Sequence, residues 1–227
     1  LRLCFPEQSP SERARGVRRS FVETGKQLLE LGILWNAGPE RLRRLVRNRD
    51  SVDRTYAGLR RTDRGLLLAA PHLGAWELVN RYLSLTEPLH SLYRPPRQSW
   101  LEPVLVRVRE SSGGVSQPAN TRGLRALLKA LRNGALVGIL PDQVPRERFV
   151  FAPFFNQPAA TMTLYGEMLR RTGADSVFLF CERLPFGRGF HLHLLPGDDP
   201  GLTDDDPVTA ARAVNRGVER CVRLAPL

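Results

Sequence analysis

The distribution of apolar and polar positions changes character near residue 60. After Gly65, short apolar runs alternate with longer segments whose apolar residues recur at helical spacing, a pattern typical of an α/β fold. The predicted strands cover 65–70, 89–93, 114–117, 135–140 and 176–182, and the predicted helices cover 75–86, 98–111, 122–132 and 160–172. These elements predict a mixed, largely parallel sheet flanked by helices, with 188–195 as an antiparallel neighbour.

The residues before this pattern predict helices. Ser9-Pro10-Ser11-Glu12 is a helix-start sequence, so 14–35 is interpreted as one helix, and Pro39 begins a second, basic helix. A final helix is predicted from the acidic segment 204–206 to about residue 224. At 227 residues and 42% hydrophobic, the chain is predicted to be one domain with a helical N-terminal part, 1–60, and an α/β core, 61–227.

The apolar end of the first predicted helix, residues 28–35, has three interpretations. It fits packing in the core, insertion at a membrane interface, or the wall of an apolar groove. The sequence leaves these alternatives open.

His72 and Glu77 form the strongest candidate for chemistry. They follow the apolar run 65–70 at a predicted strand-to-helix junction, where Gly74 allows a sharp turn between them. Five helical residues would rotate the two side chains apart, so His72 is placed just before the helix and Glu77 in its first turns. There the carboxylate could orient the imidazole and stabilise its charged form, as a base that deprotonates an alcohol requires. His193 and Asp198 have the same separation, but a strand pattern and a turn are predicted there.

Further polar residues follow the other predicted parallel strands. Arg94 follows the second strand, Asp142 and Gln143 follow the fourth, and Arg183 ends the fifth. Each alone is typical of an ordinary strand cap or a surface ion pair. Because functional groups in open parallel sheets collect at the carboxyl ends of strands, these residues and His72 together predict an active-site rim.

The charge of the chain restricts its partners. The formal net charge is +11 and the sequence pI is about 10.8, so we expect anionic partners: nucleic acid, an acidic carrier protein, phosphorylated lipid or a membrane surface. Lys26 and Lys129 are the only lysines, and arginine favours bidentate phosphate contacts, although a high-GC genome gives the same bias. No nucleic-acid-binding motif accompanies the charge, so nucleic acid is not expected as a partner.

Cysteine and histidine positions predict neither a disulfide framework nor a metal centre. Cys4, Cys181 and Cys221 are scattered and lack a Cys-x-x-Cys spacing. His191 and His193 share one strand face, but no third ligand is evident nearby, so no metal is expected. No apolar run is long enough to span a bilayer and no signal peptide is visible; because the chain does not begin with methionine, an upstream membrane anchor is left open.

The motif blocks resemble those of the late acyltransferases of lipid A biosynthesis (lauroyl and myristoyl acyltransferase-like), within the lysophospholipid acyltransferase superfamily. The family's His-x-Gly-Asn-Trp-Glu motif is similar to His72-Leu73-Gly74-Ala75-Trp76-Glu77, with Ala75 in place of the usual asparagine. The likeness covers roughly residues 5 to 225 with the order and approximate spacing of the blocks retained. The further blocks are Tyr93-Arg94-Pro95, Arg109 followed by Gly113, Gly134 leading to Asp142-Gln143, Phe154-Phe155 followed by Ala160-Thr161, and Arg183.

The resemblance implies a glycerolipid-acyltransferase-like fold and an O-acyltransferase that needs no cofactor. The implied reaction moves a fatty acyl group from a thioester of acyl carrier protein, or of coenzyme A, to a hydroxyl of a lipid A precursor at the cytoplasmic face of the inner membrane. An anionic membrane surface is a further implied partner. Another glycolipid, phospholipid or aminolipid acceptor stays open, as does hydrolysis of a thioester or lipid by the same dyad.

The resemblance also implies roles for individual residues. His72 is the implied general base with Glu77 as its support, and Arg109 is the implied oxyanion-stabilising residue. Backbone N–H groups near Gly74 are a second candidate for the oxyanion, and Arg109 also fits an ordinary helix-surface ion pair. The residues assigned to substrate binding are Arg94, Asp142, Gln143, Thr161 and Arg183, with Arg94 and Arg183 placed to bind phosphates of the acceptor or carrier.

Overall fold

The computed structural model describes residues 1–61, 63–96, 98–144 and 148–224. The strands are β1 (Leu66–Ala69), β2 (Leu89–Tyr93), β3 (Val115–Pro118), β4 (Leu136–Ile139), β5 (Phe149–Phe154), β6 (Gln157–Met162), β7 (Asp175–Arg183) and β8 (Phe190–Pro196). Within the described residues, six of them form a sheet of order β3-β2-β4-β1-β7-β8, and β5 pairs with β6 as a hairpin. Strand β8 is antiparallel to β7, whereas the other neighbours in the sheet are parallel. The predicted mixed, largely parallel sheet is confirmed.

The helices lie on both faces of this sheet. They are α1 (Pro10–Asn36), α2 (Pro39–Leu45), α3 (Arg49–Leu59), α4 (Trp76–Leu83), α5 (Glu102–Glu110), α6 (Thr121–Arg132), α7 (Leu164–Thr172) and α8 (Pro207–Leu224), with short 3₁₀ turns at Ser99–Leu101, Pro185–Gly187 and Pro200–Thr203. Helix α1 begins at a capping box in which the Ser9 side chain accepts from the Glu12 backbone N–H, as its sequence predicts. The predicted N-terminal helical segment is confirmed.

Strand β1 is buried along its whole length because both faces of the sheet are covered. Leu66 and Leu68 point into a core shared with α1 to α4, and Leu67 and Ala69 point into a second core shared with α6, α7 and α8. This burial explains why the central strands appear in the sequence as continuous apolar runs. It also fixes the carboxyl end of β1, from which the candidate site begins.

The β5–β6 hairpin was not predicted, and the prediction of a helix from residue 160 was wrong. Residues 160–162 belong to β6, and α7 begins at Leu164. The hairpin turn has positive φ at Phe155 (47°) and Asn156 (59°), a turn conformation that normally selects glycine or asparagine. Phe155 adopts it because tertiary contacts hold it: the residue is 6% exposed, and its ring packs 5.0 Å from that of Phe5. A tertiary contact of this kind leaves no local sequence signal.

The basic segment after Pro39 forms two helices instead of one. Helices α2 and α3 are separated at Val46, which makes a parallel bridge with Phe190, and the Arg47 N–H donates to the Phe190 carbonyl at 2.8 Å. Pairing with the end of the sheet interrupts the helix here. The N-terminal part is therefore attached to β8.

The apolar end of α1 is divided between core and surface. Leu34 is 2% exposed, whereas Leu28, Leu29 and Ile33 are exposed. The guanidinium of Arg81, buried in α4, donates to the carbonyls of Leu34 and Ala37 and closes the C-terminal end of α1. No helix among the described residues is both long and apolar enough to cross a bilayer.

Candidate active site

His72 lies in the turn between β1 and α4, and this turn is bonded to the sheet. Gly74 has φ 64° and forms a parallel bridge with Cys181 of β7, and the Ala75 N–H donates to the Cys181 carbonyl at 2.8 Å. A Cβ atom on Gly74 would lie 1.9 Å from that carbonyl oxygen, so the position requires glycine for both its backbone angle and its space. The sheet itself therefore sets the position of His72.

The direct partner of His72 is Asp142, which follows the neighbouring strand β4. The Asp142 carboxylate accepts the His72 backbone N–H at 2.7 Å and lies 2.9 Å from ring Nδ1. Donation from Nδ1–H to this carboxylate leaves the lone pair of Nε2 as the basic site. Gln143 Nε2 lies 3.1 Å from His72 Nε2, and Trp76 packs edge-on at 5.0 Å between ring centroids. With 29% of its side chain exposed, His72 is accessible to a substrate hydroxyl.

Glu77 has a different partner. It lies in the first turn of α4 with its side chain 7% exposed, and its Oε1 accepts from Arg109 Nη2 at 2.8 Å. Although both residues are described, Glu77 and His72 share no hydrogen bond. The guanidinium offsets part of the desolvation cost of burying the Glu77 carboxylate.

The Glu77–Arg109 pair borders a narrow cavity of about 60 Å³. Its other walls are largely apolar and come from α4, β2 and the β4 end, including Val79, Leu92 and Ile139. Trp76 lines this cavity and also packs against the His72 ring. The site thus combines an accessible imidazole on the rim with an apolar interior that contains an ion pair.

Comparison with known proteins places the whole chain in one family. The whole chain, residues 1–227, matches the family described as bacterial lipid A biosynthesis acyltransferase. The chain is a member of that family. It is 34% identical over 234 residues to the lipid A biosynthesis lauroyltransferase of Escherichia coli K12, covering all of this chain and 73% of the relative.

Two further relatives are more distant members of the same family. The lipid A biosynthesis palmitoleoyltransferase of Escherichia coli K12 is 30% identical over 230 residues, covering all of this chain and 72% of the relative. A lipid A biosynthesis acyltransferase of Haemophilus influenzae is 23% identical over 236 residues, covering 70% of its length. Membership makes this chain an O-acyltransferase of lipid A biosynthesis, a reaction that requires an acyl donor and a glycolipid acceptor.

The structure brings some of the family-implied residues together and separates others. His72, Asp142 and Gln143 are in mutual contact, and Arg109 is paired with Glu77. Arg94 is exposed just beyond the end of β2, at the same edge of the sheet.

Arg183 and Thr161 have contacts inside the protein. The Arg183 side chain is 9% exposed, pairs with Glu30 at 2.7 Å and with Glu23 at 3.2 Å, and donates to the Gly74 carbonyl. Thr161 is 3% exposed and accepts from Asn215 Nδ2 at 2.8 Å, which fastens the hairpin to α8. In this acyltransferase, Arg183 ties α1 to the β1–α4 turn that carries His72, and Thr161 holds the β5–β6 hairpin on α8.

Neither buried cysteine has the properties of a covalent nucleophile. Burial raises the pKa of the Cys181 thiol, which lies beside the β1–α4 turn, and raises the pKa of Cys221 to about 12. Both therefore stay protonated near neutral pH. His193 is also occupied, because it stacks 4.5 Å from the Phe180 ring and lies 2.9 Å from Glu182.

The contact between His72 and Asp142 was not predictable from residue spacing. The sequence analysis placed Asp142 on the rim but predicted that Glu77, five positions after His72, is the carboxylate that orients the imidazole. Asp142 reaches His72 because β4 is hydrogen-bonded directly to β1, with Ala69 opposite Ile139. Strand order was the missing information.

Proposed function

We propose that this acyltransferase moves a fatty acyl group from the thioester of acyl carrier protein, or of coenzyme A, to a hydroxyl of a phosphorylated lipid A precursor. The observation that carries the proposal is the contact of His72 with Asp142, which leaves Nε2 as the basic atom at the carboxyl edge of the sheet. The acceptor hydroxyl takes the place of the Gln143 amide nitrogen, which lies 3.1 Å from Nε2. We place the reaction at the cytoplasmic face of the inner membrane, where both substrates meet.

The proposed reaction is a direct transfer. The acceptor oxygen attacks the thioester carbonyl while its proton passes to His72 Nε2, and the Asp142 carboxylate stabilises the imidazolium that forms. The tetrahedral oxyanion then collapses to the ester and expels the thiolate. The thiolate takes the proton from His72 and leaves as a thiol, so the enzyme returns to its starting state.

Arg109 and Glu77 act together in this proposal. Arg109 supplies the positive charge for the oxyanion, and Glu77 positions it through their 2.8 Å ion pair. Glu77 therefore supports the chemistry through Arg109, whereas Asp142 supports the base directly. The apolar cavity beside the pair, about 60 Å³ in volume, has room for only the first methylenes of the donor chain next to the reacting carbonyl.

The test of this function compares the rate at which the wild type and His72→Ala form acylated product. Purified enzyme is supplied with a fatty acyl thioester and a lipid A precursor, and the products are analysed by mass spectrometry. We expect acylated precursor from the wild type and loss of at least about a hundredfold in rate from the variant, the lower end for an acid–base residue.

His193→Ala is the matched control. His193 also has a carboxylate partner at 2.9 Å, but it lies on β8 away from the catalytic turn. It should retain activity if its melting temperature is kept. Near-normal transfer by His72→Ala would refute the mechanism, and free fatty acid in place of acylated lipid would identify a hydrolase.

Comparing acyl carrier protein with coenzyme A, each carrying the same acyl chain, determines the donor. The preferred donor is the one with the higher kcat/KM. Neither result changes the role proposed for His72.

A further inference from the structure

One face of α1 and the β7–β8 turn enclose a groove that lies beside the catalytic turn. Residues from Arg15 to Ile33 line one wall, and Leu184–Gly187 lie in the other. The groove consists of cavities of about 350 Å³ and 420 Å³ that share Lys26 and Arg183. Each volume is within the roughly 300–1,000 Å³ of ordinary small-molecule sites.

The first cavity is basic. Arg15, Arg18 and Arg19 line it with exposed side chains, and none of the three forms an ion pair with another described residue. Glu23, the acidic residue in this lining, is already held by Lys26 at 2.6 Å. The uncompensated charge fits a phosphate, because the planar arginine fork binds phosphate oxygens in pairs.

The second cavity is mainly apolar. Ile33, Leu34, Leu45 and Phe190 line it between α1, α2 and β8. Phe186 lies at its border and is 97% exposed. Full exposure of a phenyl ring to water is unfavourable, which favours an apolar partner at this position.

The outer surface of α1 continues this apolar character. Phe21, Leu28 and Leu29 are 75%, 67% and 79% exposed. A helix that presents both arginines and large apolar side chains has the composition of an interfacial helix. Helix α1 therefore carries exposed apolar side chains in addition to the groove residues.

We propose that this groove binds one phosphate-bearing lipid, with its phosphate on Arg15, Arg18 and Arg19 and part of an acyl chain along Ile33 and Phe186. The order of the two cavities along α1 matches the order of head group and chain in such a molecule. Lipid binding here stands apart from the chemistry at His72. Its identification with the acceptor rests on the proposed function.

The position of the groove links it to the site. Arg183 lines both cavities and donates to the Gly74 carbonyl, two residues from His72. A lipid seated against Arg183 lies directly behind the catalytic turn. An acceptor bound there is held beside the base without using the donor's cavity, which lies between α4, β2 and β4.

The test compares two triple variants of equal charge change. The groove variant is R15Q/R18Q/R19Q. The control is R122Q/R125Q/K129Q, which removes three exposed cations from α6, a helix that bears no large exposed apolar side chain. Co-sedimentation is measured with phosphatidylcholine vesicles, alone and containing phosphatidylglycerol.

We expect the groove variant to lose about a hundredfold in affinity for the anionic vesicles, from about fivefold for each of its three cations. The control should change by about threefold or less, reflecting only net charge. A second pair tests the apolar part: Phe186→Ser should weaken binding, whereas Phe151→Ser, at another exposed phenylalanine, should not. Both side chains are exposed, so the fold is retained.

The source of the phosphate is identified by adding lipid A precursor, phosphorylated or dephosphorylated, to phosphatidylcholine vesicles. If the site binds the acceptor, adding phosphorylated precursor makes the wild type bind the phosphatidylcholine vesicles. The groove variant then has a higher KM for the precursor than the wild type. If the site binds bulk anionic phospholipid, the wild type binds only vesicles that contain phosphatidylglycerol. The KM of the groove variant for the precursor in neutral detergent then equals that of the wild type. Each result supports a phosphate-bearing lipid.

Equal losses in the two triple variants would overturn the proposal, as would unaltered binding by Phe186→Ser. A photo-crosslinking residue at position 186 provides a further check. If it crosslinks to another copy of the chain and added lipid does not reduce that product, Phe186 contacts protein and not lipid. His72→Ala should bind vesicles like the wild type. Its binding therefore separates failure of the lipid site from failure of the proposed chemistry.

Discussion

The Asp142 carboxylate holds His72 at two points, its backbone N–H and its ring Nδ1. Two contacts fix both the position and the tautomer of the imidazole, so little reorganisation is required when it becomes charged. This arrangement gives Asp142 more influence on the proposed base than a single hydrogen bond would.

Asp142→Asn should reduce the acyl transfer rate by about 10²- to 10⁴-fold with little change in KM, because the amide keeps the shape but not the charge that stabilises imidazolium. Steady-state kinetics of acyl transfer check this. Asp198→Asn, in the loop after β8, is the control. Full activity in Asp142→Asn would remove this residue from the mechanism.

Glu77 and Arg109 are tested by a double-mutant cycle. Glu77→Gln leaves the part-buried guanidinium unpaired and should cost about 1–3 kcal/mol of unfolding free energy, part of which Arg109→Gln restores. If Glu77 acts through Arg109, the double variant and Arg109→Gln have equal rates. A further loss in the double variant would show that Glu77 supports His72 independently.

At the scale of elements, a polar cluster joins the C-terminal end of α3 to the core. Arg60 donates to both Glu87 oxygens, at 2.7 and 3.0 Å, and to the Gly134 carbonyl, and the Tyr56 hydroxyl donates to Glu87. Burial acts to raise the pKa of Glu87, but hydrogen bonds from Arg60 and Tyr56 outweigh it, and the net pKa is lowered. The cluster connects three separate segments around one carboxylate.

Glu87→Gln should lower the unfolding free energy by about 1–3 kcal/mol at neutral pH. A lowered carboxyl pKa gives stability that is full above the ordinary value of 4.5 and is lost as pH falls through the lowered value. Thermal melts of the wild type and variant should therefore differ at pH 7 and converge in acid. A difference independent of pH would mean that packing, and not charge, is responsible.

The elements differ in how much their sequences revealed. Strands β1, β4 and β7 were predictable because burial on both faces produces short, continuous apolar runs. The β5–β6 hairpin was not, because Phe151 is exposed and the turn uses Phe155, a residue type that seldom marks a left-handed turn. Its stability comes from α8 and Phe5, which are distant in sequence.

At the scale of the whole molecule, the site could be predicted as a region but not as a set of contacts. Strand ends indicated His72, Asp142 and Arg183 as neighbours on one rim, since parallel strands end at one edge. Their pairings depend on strand order and on the position of α1. Arg183 is neutralised by Glu23 and Glu30, residues more than 150 positions earlier in the chain.

The positive charge is also organised at this scale. Arg15, Arg18 and Arg19 lie on α1 beside apolar side chains, whereas Arg122, Arg125 and Lys129 lie on α6 without large exposed apolar neighbours. We propose that the helical N-terminal part and the α/β core form one domain, because Arg81, Arg183 and Arg60 each join the two parts.

The bond between the catalytic turn and β7 has a consequence for how heat inactivates the enzyme. Since the Ala75 amide is bonded to the Cys181 carbonyl, His72 is displaced only when this end of the central sheet opens. In native-state hydrogen exchange, the Ala75 amide should show an opening free energy close to that of the β7 interior and well above those of rim loops. Activity and sheet integrity should then decline at the same temperature, whereas a fast-exchanging Ala75 amide would reveal a turn that melts first.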